Sequence, residues 1–339
     1  MKRIWLFILG SSLVFASASG AYALDHDTAL IQAAQNGDIP GVEAALSYGA
    51  EIDAKDAERS GATALMLATV KNHPETVGLL LERGADVNAR TDNGTTSLMT
   101  AVENGYTDIL QILLEKGADA NVQRVRDGVT ALMWPAQNGD VRSAALLIEN
   151  GADVNVKRTT DGVFPLLIAA ANGYGDIVRL LLENGADAAA KTPDMGETAL
   201  HLASGAGHAE VVDLLIQGGA NVDEKRTSDG AFALYLASAN GELESARRLL
   251  RWGADVNART ADGETALWVA ARKGFADMAG LLLENGGDVN VKTTDGVMPL
   301  YMAAQNNHAD MVGLLLENGA DVNAVTSYGT SALWKASQK

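Results

Sequence analysis

Five histidines, His26, His73, His201, His208 and His308, are the side chains of this 339-residue chain best suited to acid–base or metal chemistry. A helical metal site needs ligands paired at short spacing, as in His-Glu-x-x-His, and none of the five belongs to such a pair. Cysteine is absent, which removes thiolate nucleophiles, Cys-containing zinc sites and disulfide frameworks together. Serines are scattered without a nucleophile elbow, and no glycine-rich phosphate loop of the P-loop kind occurs. The Asp-Gly pairs Asp127-Gly128, Asp161-Gly162, Asp229-Gly230, Asp262-Gly263 and Asp295-Gly296 suggest calcium loops, but the same dipeptide favours tight hairpin turns. The sequence is therefore read as non-catalytic, with no cofactor and no metal site.

The elements that carry these residues are set by a repeat. Gly-Ala-Asp or a close variant begins at Gly49, Gly84, Gly117, Gly151, Gly185, Gly219, Gly253, Gly286 and Gly319, at a spacing of 35 once and otherwise 33 or 34. Self-similarity at this period marks stacked supersecondary units, and the Asp-Gly pairs share one phase of it, as turns would. Thr63, Thr130, Thr198 and Thr265 stand where a hydroxyl can cap a first helix, and Pro165 and Pro299 follow the equivalent position, where proline costs nothing. Alanines such as Ala169, Ala170, Ala270 and Ala271 keep that helix thin. Leucine runs such as Leu281 to Leu283 give the second helix apolar bulk that one unit cannot bury alone, so neighbours must bury it. The following glycine ends the helix in the left-handed conformation. Pro135 falls inside a first helix, beyond the positions where proline is free, and predicts local distortion in the fourth repeat.

From about Asp25 to its end the chain resembles the ankyrin-repeat family, through Gly263-Glu264-Thr265-Ala266-Leu267 and Gly253-Ala254-Asp255-Val256-Asn257 among many examples. The resemblance implies an all-α solenoid of stacked helix-turn-helix units with short β-hairpin-like fingers and a concave surface that usually binds protein. On this reading residues 24–339 form one domain of nine full repeats and a C-terminal half repeat opened by Gly329 to Trp334. The family places a histidine after the first-helix leucine; here the equivalents are Ile31, Met66, Met99, Met133, Leu167, His201, Tyr235, Trp268, Tyr301 and Trp334, and His201 alone keeps it. If that position lies at the finger base, as the family implies, Tyr235, Trp268, Tyr301 and Trp334 form an aromatic ladder. It either binds a partner or fills gaps between repeats, the commoner role of such stripes. His73, His208 and His308 fall where the family often carries a turn-packing histidine.

A basic series falls in the finger tips: Arg90, Arg124, Arg126, Lys157, Arg158, Lys191, Lys225, Arg226, Arg259 and Lys292. Lysine is ordinary there in the family and solvates the tip; Arg124, Arg126, Arg158 and Arg226 exceed that pattern and could face an acidic partner. Glu82, Glu115, Glu149, Glu183, Glu284 and Glu317 form a solvated outer face, which Trp252 breaks as a candidate self-association patch.

The N-terminus, Lys2 and Arg3 before the apolar run Ile4 to Phe15 and small residues to Ala23, has the pattern of an export signal cleaved after Ala23. The apolar run is too short to span a bilayer comfortably, so the mature form is expected to be periplasmic or secreted and not membrane-inserted. It would carry 24 basic against 43 acidic groups, a charge of −19, which repels nucleic acid and anionic lipid. The expected role is that of a monomeric interaction scaffold holding a protein; the alternative is a receptor for polysaccharide or another small ligand through the aromatic ladder.

Overall fold

The computed structural model describes residues 25–338; the expected export signal, residues 1–23, lies outside them. By its internal contacts the chain divides into two compact units, one ending at Ala85 and one beginning at Asp86. In the first, α1 (His26–Asn36) pairs with α2 (Ile39–Ser47) and α3 (Ala64–Val70) with α4 (Pro74–Glu82), with a 3-10 turn over Ala57–Arg59 between the pairs. The second unit continues the pattern with α5 (Ser97–Glu103), α6 (Thr107–Glu115), α7 (Met133–Asn138), α8 (Val141–Glu149), α9 (Pro165–Asn172) and α10 (Gly175–Glu183). It is completed by α11 (Ala199–Gly205), α12 (Ala209–Gln217), α13 (Ala233–Asn240), α14 (Leu243–Arg251), α15 (Ala266–Lys273), α16 (Ala276–Glu284), α17 (Pro299–Gln305), α18 (Ala309–Glu317) and α19 (Ala332–Ala336). Within each unit the odd-numbered inner helices stack on one another, each backed by an even-numbered outer helix up to α18, and the outer helices pack in turn. The fold is an all-α, solenoid-like repeat; among the described residues the fingers contribute isolated β-bridges, such as Lys225 with Phe232, and no sheet.

Three of the four expected threonine caps form, and the one at Thr130 does not. The hydroxyls of Thr63, Thr198 and Thr265 accept from the backbone N–H three residues on, at 3.4, 3.4 and 3.2 Å, and Pro165 and Pro299 open α9 and α17. The fourth repeat is distorted as Pro135 predicts. Proline cannot donate the bond that would join Ala131 to the helix, so α7 starts only at Met133, and the buried Thr130 hydroxyl is left without a partner. The small helix faces bring the stack together: Ala169, Ala203, Ala237, Ala270 and Ala303 are fully buried, as are Leu181, Leu215, Leu249, Leu282 and Leu315 of the outer helices. Burying each such leucine contributes roughly 1.5–3 kcal/mol.

Two glycine positions are required for different reasons. Gly185, after α10, has φ +86° with nothing near its missing Cβ, so only backbone conformation selects it. Gly173, after α9, has φ +75° and a Cβ there would also lie 2.5 Å from the His208 ring. That ring reaches back to the Ala171 carbonyl at 3.1 Å, and His308 reaches the Arg272 carbonyl at 3.1 Å; in the first unit His73 reaches the Gln35 carbonyl at 3.2 Å. These three histidines pack turns.

Candidate functional site

The fingers of the second unit are of two lengths. In the five-residue form, except in the sixth finger where Thr192 accepts from the Glu197 N–H at 3.1 Å, an Arg-x-x-Asp-Gly turn closes on itself: Arg124 grips the Asp127 carboxylate through Nε at 2.9 Å and Nη2 at 2.6 Å, and Asp127 also accepts from the Val129 N–H at 3.2 Å. Arg158 with Asp161 and Arg226 with Asp229 repeat the fork, each through Nε and Nη2. The Arg124 fork holds the Asp127 carboxyl below its ordinary range, and the Arg226 fork does so for Asp229. Burial pushes Asp161 up, but the Arg158 bond and the Val163 N–H outweigh it and its carboxyl is also lowered. The four-residue form replaces the fork by threonine: Thr91, Thr260 and Thr293 accept from the N–H four residues on at 3.0, 3.1 and 3.1 Å. This one-residue difference accounts for the 34- and 33-residue spacings. The Asp-Gly pairs are turns, and among the described residues no group of three or more His, Asp or Glu is placed to hold a metal ion.

The excess arginines are thus largely committed to their own fingers. Arg126 is exposed, whereas Arg226 also meets Glu197 at 3.1 Å and is only 14% exposed. The neighbouring cations bridge repeats instead of fanning outward. Lys157 Nζ donates to the Lys191 carbonyl at 3.1 Å, Lys225 Nζ to the Arg259 carbonyl at 2.7 Å and Arg259 to the Lys292 carbonyl at 3.2 Å, while Lys191 pairs with Glu224 at 2.5 Å.

The position expected to form the aromatic ladder runs from buried to open. Met99, Met133, Leu167 and His201 are buried, Tyr235 and Tyr301 half-buried, Trp268 only 6% exposed and Trp334 47% exposed. Trp268 therefore fills space between repeats, with the Arg272 guanidinium 5.1 Å from its ring centroid and its indole N–H buried without a partner. The Tyr235 hydroxyl donates to the Glu264 carboxylate, and burial first, then this bond, raises its pKa. The four rings do not form one continuous stacking platform. His201 is the most connected of the series: its Nε2 meets the Glu224 carbonyl at 2.8 Å, and Nδ1 accepts from the Thr198 N–H at 3.1 Å. Burial lowers its pKa, so the ring is neutral near pH 7. Trp252 is exposed, with its indole N–H donating to Asp213 at 2.9 Å.

The surface that the sequence reading passed over is one residue further along five of the inner helices; on α15 the equivalent Val269 is fully buried. Trp134, Ile168, Leu202, Leu236 and Met302 are half-buried apolar side chains, and their recurrence immediately after the singular position was the available signal. Two of them, Leu202 and Leu236, line a hollow of about 300 Å3 with Ala171, Gly205 and Ala206, closed at the finger base by His201 and the Arg226–Glu197 pair. Gly205 and Ala206 make this hollow possible, because larger residues there would fill it. The Arg124 guanidinium lies 5.6 Å from the centroid of Trp134, so finger and inner helix meet at that row as well. A second, apolar hollow of about 450 Å3 lies between α17, α18 and α19, lined by Leu300, Val312, Leu316 and Leu333 among others. No helix among the described residues is long and apolar enough to cross a membrane.

A family model described as "Ankyrin repeats (3 copies)" matches the chain in overlapping segments, residues 11–91, 30–124, 88–158, 132–226, 166–260, 218–293 and 234–326. No individual curated protein matches it.

Proposed function

This chain belongs to the ankyrin-repeat family, whose repeats are generic protein–protein interaction modules, and from that premise we propose that it is an exported, non-catalytic scaffold that holds a protein partner against the inner-helix face beside its fingers. The observation that carries the reading is the apolar hollow between Leu202 and Leu236, floored by Gly205 and Ala206 beside the fingers. A concave patch with an apolar floor and a polar rim accepts an anchoring side chain, where interface energy concentrates. Export is supported by the basic-then-apolar pattern of residues 2–15 and the small residues before Leu24.

The test is affinity capture from the periplasm with the chain beginning at Leu24, repeated with Leu202→Glu and Leu236→Glu, each shown to be folded by circular dichroism. A partner held by the parent and lost by both variants is the expected result. A partner held equally by all three places binding elsewhere, and an intact N-terminus on the exported protein removes the cleavage reading.

A further inference from the structure

Adjacent repeats of the second unit are joined by a side-chain relay that is an uncharged asparagine at most contacts; at the contact between the seventh and eighth repeats Asp223 keeps the accepting half, taking the Asp255 N–H at 2.9 Å, and at one contact the relay is missing altogether. Asn121 donates to the Gly151 carbonyl at 2.7 Å and accepts from the Asp153 N–H at 2.7 Å. Asn88, Asn155, Asn257 and Asn290 make the same two bonds to the next repeat. In the sixth repeat the relay residue is Ala189, which has no polar side-chain atom. The contact between the sixth and seventh repeats is closed by titratable and charged groups instead: His201 to the Glu224 carbonyl, Lys191 to the Glu224 carboxylate and Glu197 to Arg226. On its other side the sixth repeat lacks the finger-to-finger bond made by its neighbours. The Thr159 N–H donates to the Asp127 carbonyl at 3.2 Å and the Thr227 N–H to the Met195 carbonyl at 2.9 Å, but the equivalent residue in the sixth finger is Pro193, which has no N–H.

The hydrogen bonds of His201 fix its protonation state. The Thr198 hydroxyl oxygen accepts from the His201 N–H at 3.4 Å, leaving its own proton free to point at Nδ1, 3.0 Å away, where the Thr198 N–H also points. Two donors converge on Nδ1, so the ring proton sits on Nε2 and faces the Glu224 carbonyl. A second proton on Nδ1 would confront those donors and bury a cation. The charged groups around it are Glu197 and Arg226 at the finger base and Glu224, already held by Lys191. The sequence of α9 supplies no charged side chain; α12 carries Glu210, which is exposed, and Asp213, which binds Arg248 and Trp252. The titratable Tyr235 of α13 is committed to Glu264.

We propose that the contact between the sixth and seventh repeats is a proton-sensitive joint: mild acidification protonates His201, loosens α11 from the seventh finger and α13, and reshapes the hollow those elements form. The regulatory meaning rests on the proposed partner binding at the inner-helix face beside the fingers, the palm, because the hollow is the same one; the joint itself does not.

Native-state hydrogen exchange on the whole chain from Leu24, without any partner, separates the two. The wild type is compared with His201→Met, since Met99 and Met133 occupy the same position buried in the third and fourth repeats. Between about pH 7.5 and pH 5, the protection of α11 and α13 amides in the wild type, relative to the variant at the same pH, should fall roughly tenfold. Amides of α15 and α17 should keep their ratio. An equal loss in wild type and variant, or a loss spread evenly over the inner helices, overturns the joint and leaves palm binding untouched. Should the methionine variant fail to fold, Ala189→Asn carries the test: a restored neutral relay should shrink the acid loss, and an unchanged loss overturns the proposal.

Discussion

The contact between the sixth and seventh repeats and that between the eighth and ninth join the same kinds of helix but are closed by different chemistry. Asn257 bridges the eighth and ninth with two bonds that carry no titrating group, at 3.0 and 2.8 Å, and the position of His201 is taken by the non-ionising Trp268. At the sixth and seventh, a histidine, two carboxylates, a lysine and an arginine replace that amide. Backbone geometry in a repeat array is therefore compatible with more than one way of satisfying the loop that joins units. The choice sets the response to pH and salt and leaves the fold alone. The apolar packing underneath is shared, which is why substitutions can separate the two layers of stabilisation.

The largest effects should be alike on both sides. Leu215→Ala beside the contact closed through His201 and Leu282→Ala beside the one bridged by Asn257 each remove a fully buried leucine, and each should cost about 2–5 kcal/mol in urea unfolding. A tenfold smaller loss at one of them would show that the two contacts differ in their cores as well as in their loops. The next effect divides them. Asn257→Ala should cost about 0.5–1.5 kcal/mol by removing two exposed hydrogen bonds that water replaces in part, whereas Ala189→Asn should stabilise by a similar amount if the relay geometry is regained. Loss of stability on Ala189→Asn would mean that the sixth repeat cannot adopt that geometry.

Comparable in size is Arg226→Ala, which removes the partner of both Glu197 and Asp229. Since Asp229 is largely exposed, about 1 kcal/mol is expected, fading as salt is raised; a cost independent of salt would assign Arg226 a packing role. The pH dependence follows the sign of the His201 shift. Its folded pKa is lowered by burial, so the folded state resists the proton that the unfolded chain accepts. The His201 contribution is fully present above about pH 6.5 and declines as the pH falls below it, and His201→Met should remove that part of the acid loss. The smallest expected change is a control remote from both contacts: Thr130→Val, at a buried hydroxyl without a partner, should be neutral or stabilising by up to about 1 kcal/mol in the same unfolding assay.

Much of this organisation was legible in the residues. The Gly-Ala-Asp spacing located the unit, the threonine and proline positions located the inner-helix starts, and Pro135 announced the shortened α7. The aromatic and arginine series were visible too, but their use was not. Whether a ring at the position of Trp268 faces a partner or a neighbouring repeat depends on how closely two units stack, and whether Arg158 meets a partner or Asp161 depends on how its finger folds back. The row containing Leu202 and Leu236 escaped notice because half-buried leucines in a helix have the same composition as core ones.

By itself the sequence determined the period, the helix boundaries, the absence of cysteine chemistry and the repeat family, because these follow from local backbone preferences and from side-chain types recurring at fixed spacing. Only the tertiary structure decided that the arginines clamp their own fingers, that Trp268 is buried beneath Arg272, and that Ala189 leaves one contact to His201 and its charged neighbours. The first two depend on how one finger or helix folds back on itself, and the last on which atoms of one repeat come within hydrogen-bond reach of the next, as for His201 and Glu224, 23 positions apart, which meet only when the units stack.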